Sequence, residues 1–114
     1  MARALETIDD LNFETEVLGS KLPFLLDFSA SWCAPCKALS PILEALAEER
    51  RGRLRIGKLD IDASPEVAAR LGVRGAPTLV LFSGGQERAR KLGFSTRQAL
   101  LALLAEPASA DAAV

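Results

Sequence analysis

Leu22-Pro23-Phe24-Leu25-Leu26-Asp27-Phe28, running on into Ser29-Ala30-Ser31-Trp32-Cys33-Ala34-Pro35-Cys36-Lys37, is the stretch on which the reading of this 114-residue chain turns. The first part is a near-continuous apolar run, the mark of a strand covered on both faces. The second part holds the chain's only two cysteines and its only tryptophan. A helical pattern begins there. From Ala34 to about Arg50, apolar residues recur at Leu39, Ile42, Leu43, Leu46 and Ala47. Lys37, Ser40, Glu44 and Glu48 fall between them, which predicts an amphipathic helix. Pro41 lies inside it and predicts a kink, because proline removes a backbone donor and crowds the preceding turn. Two thiols three positions apart at a strand-to-helix turn can close into a small, reversible disulfide. Such a ring is a two-electron switch.

The flanking sequence alternates strands and helices. Ala4 to Ile8 is a short strand candidate, and Asp9 or Asp10 can cap a helix carrying Phe13, Val17 and Leu18 up to Gly19. Leu54 to Ile61 reads as a second buried strand. Ser64 and Pro65 open a short helix as N-cap and first-turn proline, ending near Gly72. Thr78 to Phe82 is a third apolar strand, and Ser83-Gly84-Gly85-Gln86 is a hairpin signal leading into Glu87 to Leu92. Ser95-Thr96-Arg97-Gln98 has the form of a capping box for a Leu-rich helix reaching about Glu106. Pro107 to Val114 is small and polar, as a frayed tail would be. The expected class is α/β: a central mixed sheet of four to five strands flanked by about four helices, on both faces.

Composition narrows the chemistry. A chain of this length forms one domain that buries roughly two-thirds of its unfolded surface. A net charge of −1 gives no sequence-wide pull toward nucleic acid or anionic membrane. Arg50, Arg51, Arg53 and Arg55 are expected to be a solvated helix end and strand start, since no aromatic stacking platform accompanies them. The first residues lack the apolar core of a secretory signal, and no stretch approaches the roughly 18 apolar residues of a membrane span. A reducing, cytoplasmic setting follows as the default, where a cysteine pair is catalytic or metal-binding. A structural zinc site needs about four ligands, and this chain has two cysteines and no histidine. As a permanent staple the pair closes too small a loop to constrain much of the unfolded chain. The redox reading is favoured because Cys33 falls at a helix N-terminus, where unpaired N–H groups and the positive dipole end stabilise a thiolate. A free thiol of pKa about 8.5 is only ~3% ionised at pH 7, so that stabilisation matters. Cys36 should lie one turn deeper and shielded. Gly84-Gly85 is an isolated turn and no phosphate loop, so no cofactor-binding motif is present.

Other residues carry two readings each. Asp27 sits mid-strand, where an unpaired carboxylate costs several kcal/mol or takes up a proton. By alternation Lys58 shares a face with Leu54 and Ile56, its stem buried beneath the cysteines. The pair is either a structural ion pair or a tuned proton acceptor with its modulator. Pro77 can simply be a strand-entry proline. Trp32 is either a core aromatic or a docking residue beside an exposed thiol.

The segment Phe28 to Lys37 resembles the active site of thioredoxins. Asp27, Pro41, Lys58, Gly75-Ala76-Pro77-Thr78, Gly84 and Gly93 stand where that family places its other marks, in register from about Ala4 to Glu106. The resemblance implies a thioredoxin domain over residues 1–106 with a flexible tail at 107–114. It implies a thiol–disulfide oxidoreductase that reduces disulfides in other proteins through a redox-active Cys33–Cys36 couple. In that scheme Cys33 is the nucleophile and Cys36 the resolving thiol. Asp27 accepts the Cys36 proton, directly or through water, and Lys58 modulates it. Ala34 and Pro35 tune the potential. Trp32, Gly75, Ala76, a cis Pro77 and Gly93 dock the substrate, with Ile61 and Phe94 beside them. No cofactor is bound, NADPH and FAD acting only through a thioredoxin reductase partner. Implied substrates are disulfides of the kind found in peroxiredoxins, methionine sulfoxide reductase and ribonucleotide reductase, met by a cytoplasmic monomer. Two letters depart from the family. Ala34 replaces its usual glycine, which restricts the backbone between the cysteines. Ser29 replaces a bulky aromatic, which is expected to loosen the active-site loop unless the hydroxyl bonds locally. A disulfide oxidase or isomerase is the alternative enzyme, disfavoured because those relatives commonly carry histidine between the cysteines. A non-catalytic binding module is the other alternative.

Overall fold

All six residues of β2 (Phe24–Ser29) are buried, and this strand is the middle of the sheet. The computed structural model describes residues 5–105. β1 (Glu6–Ile8) and β3 (Arg55–Asp60) lie on one side of β2, and β4 (Thr78–Ser83) and β5 (Gln86–Leu92) on the other, in the order β1-β3-β2-β4-β5. β1, β3 and β2 are parallel; β4 and β5 run antiparallel to their neighbours. The β4–β5 hairpin turns on Gly84 and Gly85, with φ of +63° and +78°. Two positive φ values in a two-residue loop match the twist of the strands, and glycine adopts them without strain.

Because side chains alternate along a strand, β2 faces two different cores. Phe24, Leu26 and Phe28 join Val80, Phe82 and Leu59 beneath Phe13 and Val17 of a π-helix (Phe13–Leu18) and Val67 and Ala68 of α2 (Pro65–Arg70). Phe13 meets Phe82 edge to face, ring centroids 5.6 Å apart. Leu25, Ile56, Leu79 and Leu81 instead pack under Leu39, Leu43 and Leu46 of α1 (Ala34–Glu49) and Leu100 and Leu103 of α3 (Arg97–Leu104). Among the described residues, four helical segments thus cover a five-stranded mixed sheet, two to a face, as the class expected from the sequence requires. α1 continues as helix through Pro41.

The caps differ from the sequence reading. Asp9 closes its own turn, Oδ1 accepting from the N–H groups of Leu11 and Asn12, both at 2.9 Å. The N-cap of the π-helix is Asn12, without a side-chain capping bond. Asp10 caps a different helix: its two carboxylate oxygens accept from Glu66 N (3.1 Å) and Val67 N (2.9 Å) at the start of α2. Ser64, which occupies the N-cap position of α2, makes no side-chain cap. The charged bidentate acceptor has displaced the hydroxyl. At α3 the cap is shifted by one residue. The N-cap is Thr96 rather than Ser95: Thr96 is extended and its hydroxyl accepts from Ala99 N at 3.1 Å.

Arg55 also departs from expectation, because it is not a solvated member of its cluster. Its guanidinium reaches back across the sheet edge to Glu6 (2.6 and 2.8 Å) and to the side chain and carbonyl of Glu16 (2.7 and 3.0 Å). It stacks 4.9 Å above the Phe24 ring. The sequence-stretch limits at Ala4 and Glu106 and the tail 107–114 lie outside the described residues.

Candidate active site

β2 ends at Ser29, and Cys33 N–H bonds back to the Ala30 carbonyl (3.2 Å), closing the turn that delivers Cys33 to the N-cap of α1. Extended at φ −101°, ψ 107°, Cys33 points its Sγ at the open end of the helix, where it accepts from Cys36 N at 3.2 Å. One turn of helix brings the two Cα atoms to 5.3 Å, and the sulfurs are bonded to each other. Pro35 occupies the first turn, where its missing N–H leaves no intrahelical bond unmade. Cys36 is 1% exposed and shielded. Cys33 is not the open thiol expected from the sequence. It is 3% exposed and belongs to a small buried cluster with Ala30 and Cys36, against which Ile61 and Ala76 pack.

Beside this ring lies the loop that leads into β4. The Ala76–Pro77 bond is cis. Thr78 Oγ1 donates to the Gly75 carbonyl (2.7 Å), and Gly93 N–H donates to the Pro77 carbonyl (2.8 Å), fixing both flanks of the loop. Gly93 has φ +86°, a conformation that favours glycine, and a Cβ there or at Gly75 would meet nothing within 4 Å. That side is open. Trp32 is no core aromatic: it is 65% exposed, its indole N–H held by Asp62 Oδ2 at 2.7 Å. Phe94 is also exposed.

Beneath the ring, strand register builds a row that is polar at every position but Leu79. Thr7, Lys58, Asp27, Leu79 and Lys91 stand side by side on β1, β3, β2, β4 and β5. Asp27 is fully buried, and neither carboxylate oxygen has a hydrogen-bond partner. Burial pushes its pKa up to about 7, against a smaller opposing pull from the Lys58 charge. The reading of Asp27 and Lys58 as a plain ion pair fails. The Lys58 ammonium donates instead to Ser40 Oγ (2.6 Å), and that hydroxyl in turn donates to the Cys36 carbonyl (3.3 Å). Ser29, where the family has a bulky aromatic, is buried beside a pocket of about 240 Å³ lined also by Ala30, Ser31, Lys37, Lys58 and Asp60.

Sequence reasoning missed Ser40 and Asp62. Ser40 read as one more polar residue on the outer face of a helix, and Asp62 touches Trp32 across 30 positions of chain. Neither contact leaves a local signal. Among the described residues, no three His, Cys, Asp or Glu side chains gather as a metal would require, and no helix is long and apolar enough to cross a membrane.

A cysteine pair closed at a helix N-terminus on this sheet defines a thiol–disulfide oxidoreductase. The sequence model of the family described as "Thioredoxin" matches residues 4–106. The chain is 44% identical to a thioredoxin of Acidithiobacillus ferridurans over 104 residues, 91% of this chain and 96% of that one. It is 39% identical to a thioredoxin of Rickettsia felis over 82% of this chain and 90% of that one. A bifunctional thioredoxin reductase/thioredoxin of Mycobacterium leprae shares 45% identity over 82% of this chain but only 20% of its own length. The chain belongs to the thioredoxin family, and its activity is that of a protein-disulfide reductase.

Proposed function

We propose that the chain works by two-step dithiol exchange in which Cys33 attacks and Cys36 resolves. The observation that carries the assignment is the position of Cys33 Sγ at the N-cap of α1, accepting an N–H bond. That bond and the helix dipole favour the thiolate of Cys33 over that of Cys36. The Cys33 thiolate attacks one sulfur of a substrate disulfide; the other sulfur leaves as a thiolate and takes up a proton. Cys36, deprotonated by Asp27, then attacks the Cys33 sulfur, and the second substrate sulfur leaves. Two electrons and two protons pass to the substrate, and the Cys33–Cys36 bond remains. The second step is intramolecular, which keeps the mixed disulfide short-lived.

Lys58 modulates Asp27, and Ala34 and Pro35 set the stiffness of the ring. Substrate adds as an extended segment along Gly75, Ala76 and cis Pro77, with Trp32, Gly93, Ile61 and Phe94 as an apolar border. The open space beside Gly75 and Gly93 supports this reading. The oxidised ring is reset by a thioredoxin reductase, which supplies electrons from NADPH through FAD. The fusion of both activities in the Mycobacterium leprae protein supports that partnership. Protein disulfides such as those of peroxiredoxins, methionine sulfoxide reductase and ribonucleotide reductase are the proposed substrates. The setting is the cytoplasm, as a monomer with one domain over residues 1–106.

The test is the thiol–disulfide equilibrium with glutathione beside a reductase-coupled assay of insulin reduction. A potential of about −270 mV, the family's own reference value, is expected; one of about −120 mV identifies an oxidase instead. Cys33→Ser abolishes turnover, and Cys36→Ser accumulates mixed disulfide. Normal turnover by either variant overturns the scheme.

A further inference from the structure

Asp27 and Lys58 are register neighbours on adjacent strands, and yet they do not pair. The carboxylate is buried without a partner while the ammonium is bonded to Ser40, an α1 residue with no part in the exchange chemistry. An orphaned buried carboxylate beside a lysine long enough to reach it is a costly arrangement that persists only if something else holds the lysine. Ser40 is placed to do so. Its oxygen accepts from Lys58 Nζ at 2.6 Å, and its own proton goes to the Cys36 carbonyl at 3.3 Å, so the hydroxyl is oriented by the helix that carries the resolving thiol.

We propose that Ser40 is a positioning residue: its hydroxyl holds the Lys58 ammonium against α1 and off the Asp27 carboxyl, so that the proton acceptor works without a paired cation. The inference rests on the role of Asp27 given above. The other groups around the carboxyl do not compete for it. β4 presents Leu79, β1 presents Thr7 beyond Lys58, and Lys91 of β5 stands two strands away, about 10 Å by strand spacing. Lys37 and Asp60 line a pocket with Lys58, and the charge that acts on the Asp27 carboxyl is that of Lys58. Without the Ser40 oxygen, the ammonium has one acceptor fewer on α1 and a bare carboxylate next to it. An opposite charge brought within hydrogen-bond range favours the ionised carboxylate.

Two measurements on Ser40→Ala test this, and alanine is well tolerated in a helix. The first is the Asp27 carboxyl titration followed by carbon-13 NMR in the oxidised protein. The second is the pH profile of the resolving step, read as release of thionitrobenzoate from its mixed disulfide with Cys33 by stopped flow. In Ser40→Ala the carboxyl midpoint falls by at least about half a pH unit, and the resolving profile moves with it. In a Lys58→Met background the same substitution moves neither, since the effect passes through the ammonium. A midpoint that stays or rises in Ser40→Ala, or that falls equally without Lys58, overturns the proposal. A carboxyl that shifts while the resolving profile stays fixed leaves the tether standing and overturns Asp27 as the proton acceptor.

Discussion

Arg55 and Asp27 lie on neighbouring strands of one sheet, three residue levels apart, and the fold treats them in opposite ways. Arg55 is surrounded: Glu6 takes its planar fork with two oxygens, Glu16 offers a carboxylate and a carbonyl, and Phe24 supplies a ring face. Its side chain keeps a quarter of its exposure. Asp27 has none of this and no water-facing surface. A charge that makes four hydrogen bonds to its neighbours serves to hold β1, β3 and the π-helix together. A charge whose bonds are unmade raises the energy of its ionised form and so becomes a group that exchanges protons near neutrality. The difference separates a structural ionic centre from a chemical one within the same pair of strands.

The largest break in this comparison comes from removing the charge of Asp27. Its folded pKa is about 7 against 3.8 for the free group, so the folded state binds the proton more tightly. The carboxyl therefore contributes stability that is full below about pH 4 and is lost as pH rises through 7. Three units at about 1.4 kcal/mol each make Asp27→Asn more stable than the parent by up to about 4 kcal/mol at pH 8, and by less than half of that at pH 5. Urea unfolding across this range checks it; parallel stability curves for parent and variant sink the idea. The same variant is expected to release its mixed disulfides more slowly. Unchanged reduction rates across neutral pH count against the acid–base role.

The reverse experiment gives a smaller effect of opposite sign. Arg55→Met keeps the apolar stem but loses the guanidinium together with its stacking on Phe24, costing about 1–2 kcal/mol, since its carboxylate partners are half-exposed and regain water. Thermal unfolding measures this, and insulin reduction should be untouched. A gain in stability would remove Arg55 as the structural counterpart of Asp27. Smallest is Glu16→Gln, at about 0.5 kcal/mol or less, because the Glu6 fork and the Glu16 carbonyl still hold the guanidinium. A loss as large as that of Arg55→Met would show that Glu16, rather than the fork, carries the contact.

The elements of this comparison were unequally visible in the sequence. Strands and helices were legible because periodicity is local: β2 as an apolar run, α1 as a 3.6-residue stripe, the hairpin as Gly84-Gly85. Asp27 was legible because a carboxylate interrupts that run. What sits beside it was only half legible. Alternation put Lys58 on the right face, but the direction of its ammonium depends on Ser40, which belongs to another element. Arg55 was misread for the same reason, since its partners stand 39 and 49 residues away. The caps failed more subtly. Ser64 and Ser95 had the right chemistry at about the right place. In one case a distant carboxylate took the donors, and in the other the chain turned one residue later.

The Asp10 cap has a consequence for the order in which the chain assembles. α2 has six residues, too few to persist as an isolated helix, and the acceptor for its first N–H groups lies 56 and 57 positions earlier. That helix can be completed only after β1 has docked on β3 and presented the loop that carries Asp10. α2 therefore belongs to the late, long-range part of folding, and its amides should open to solvent together with the β1 edge rather than with the central strands.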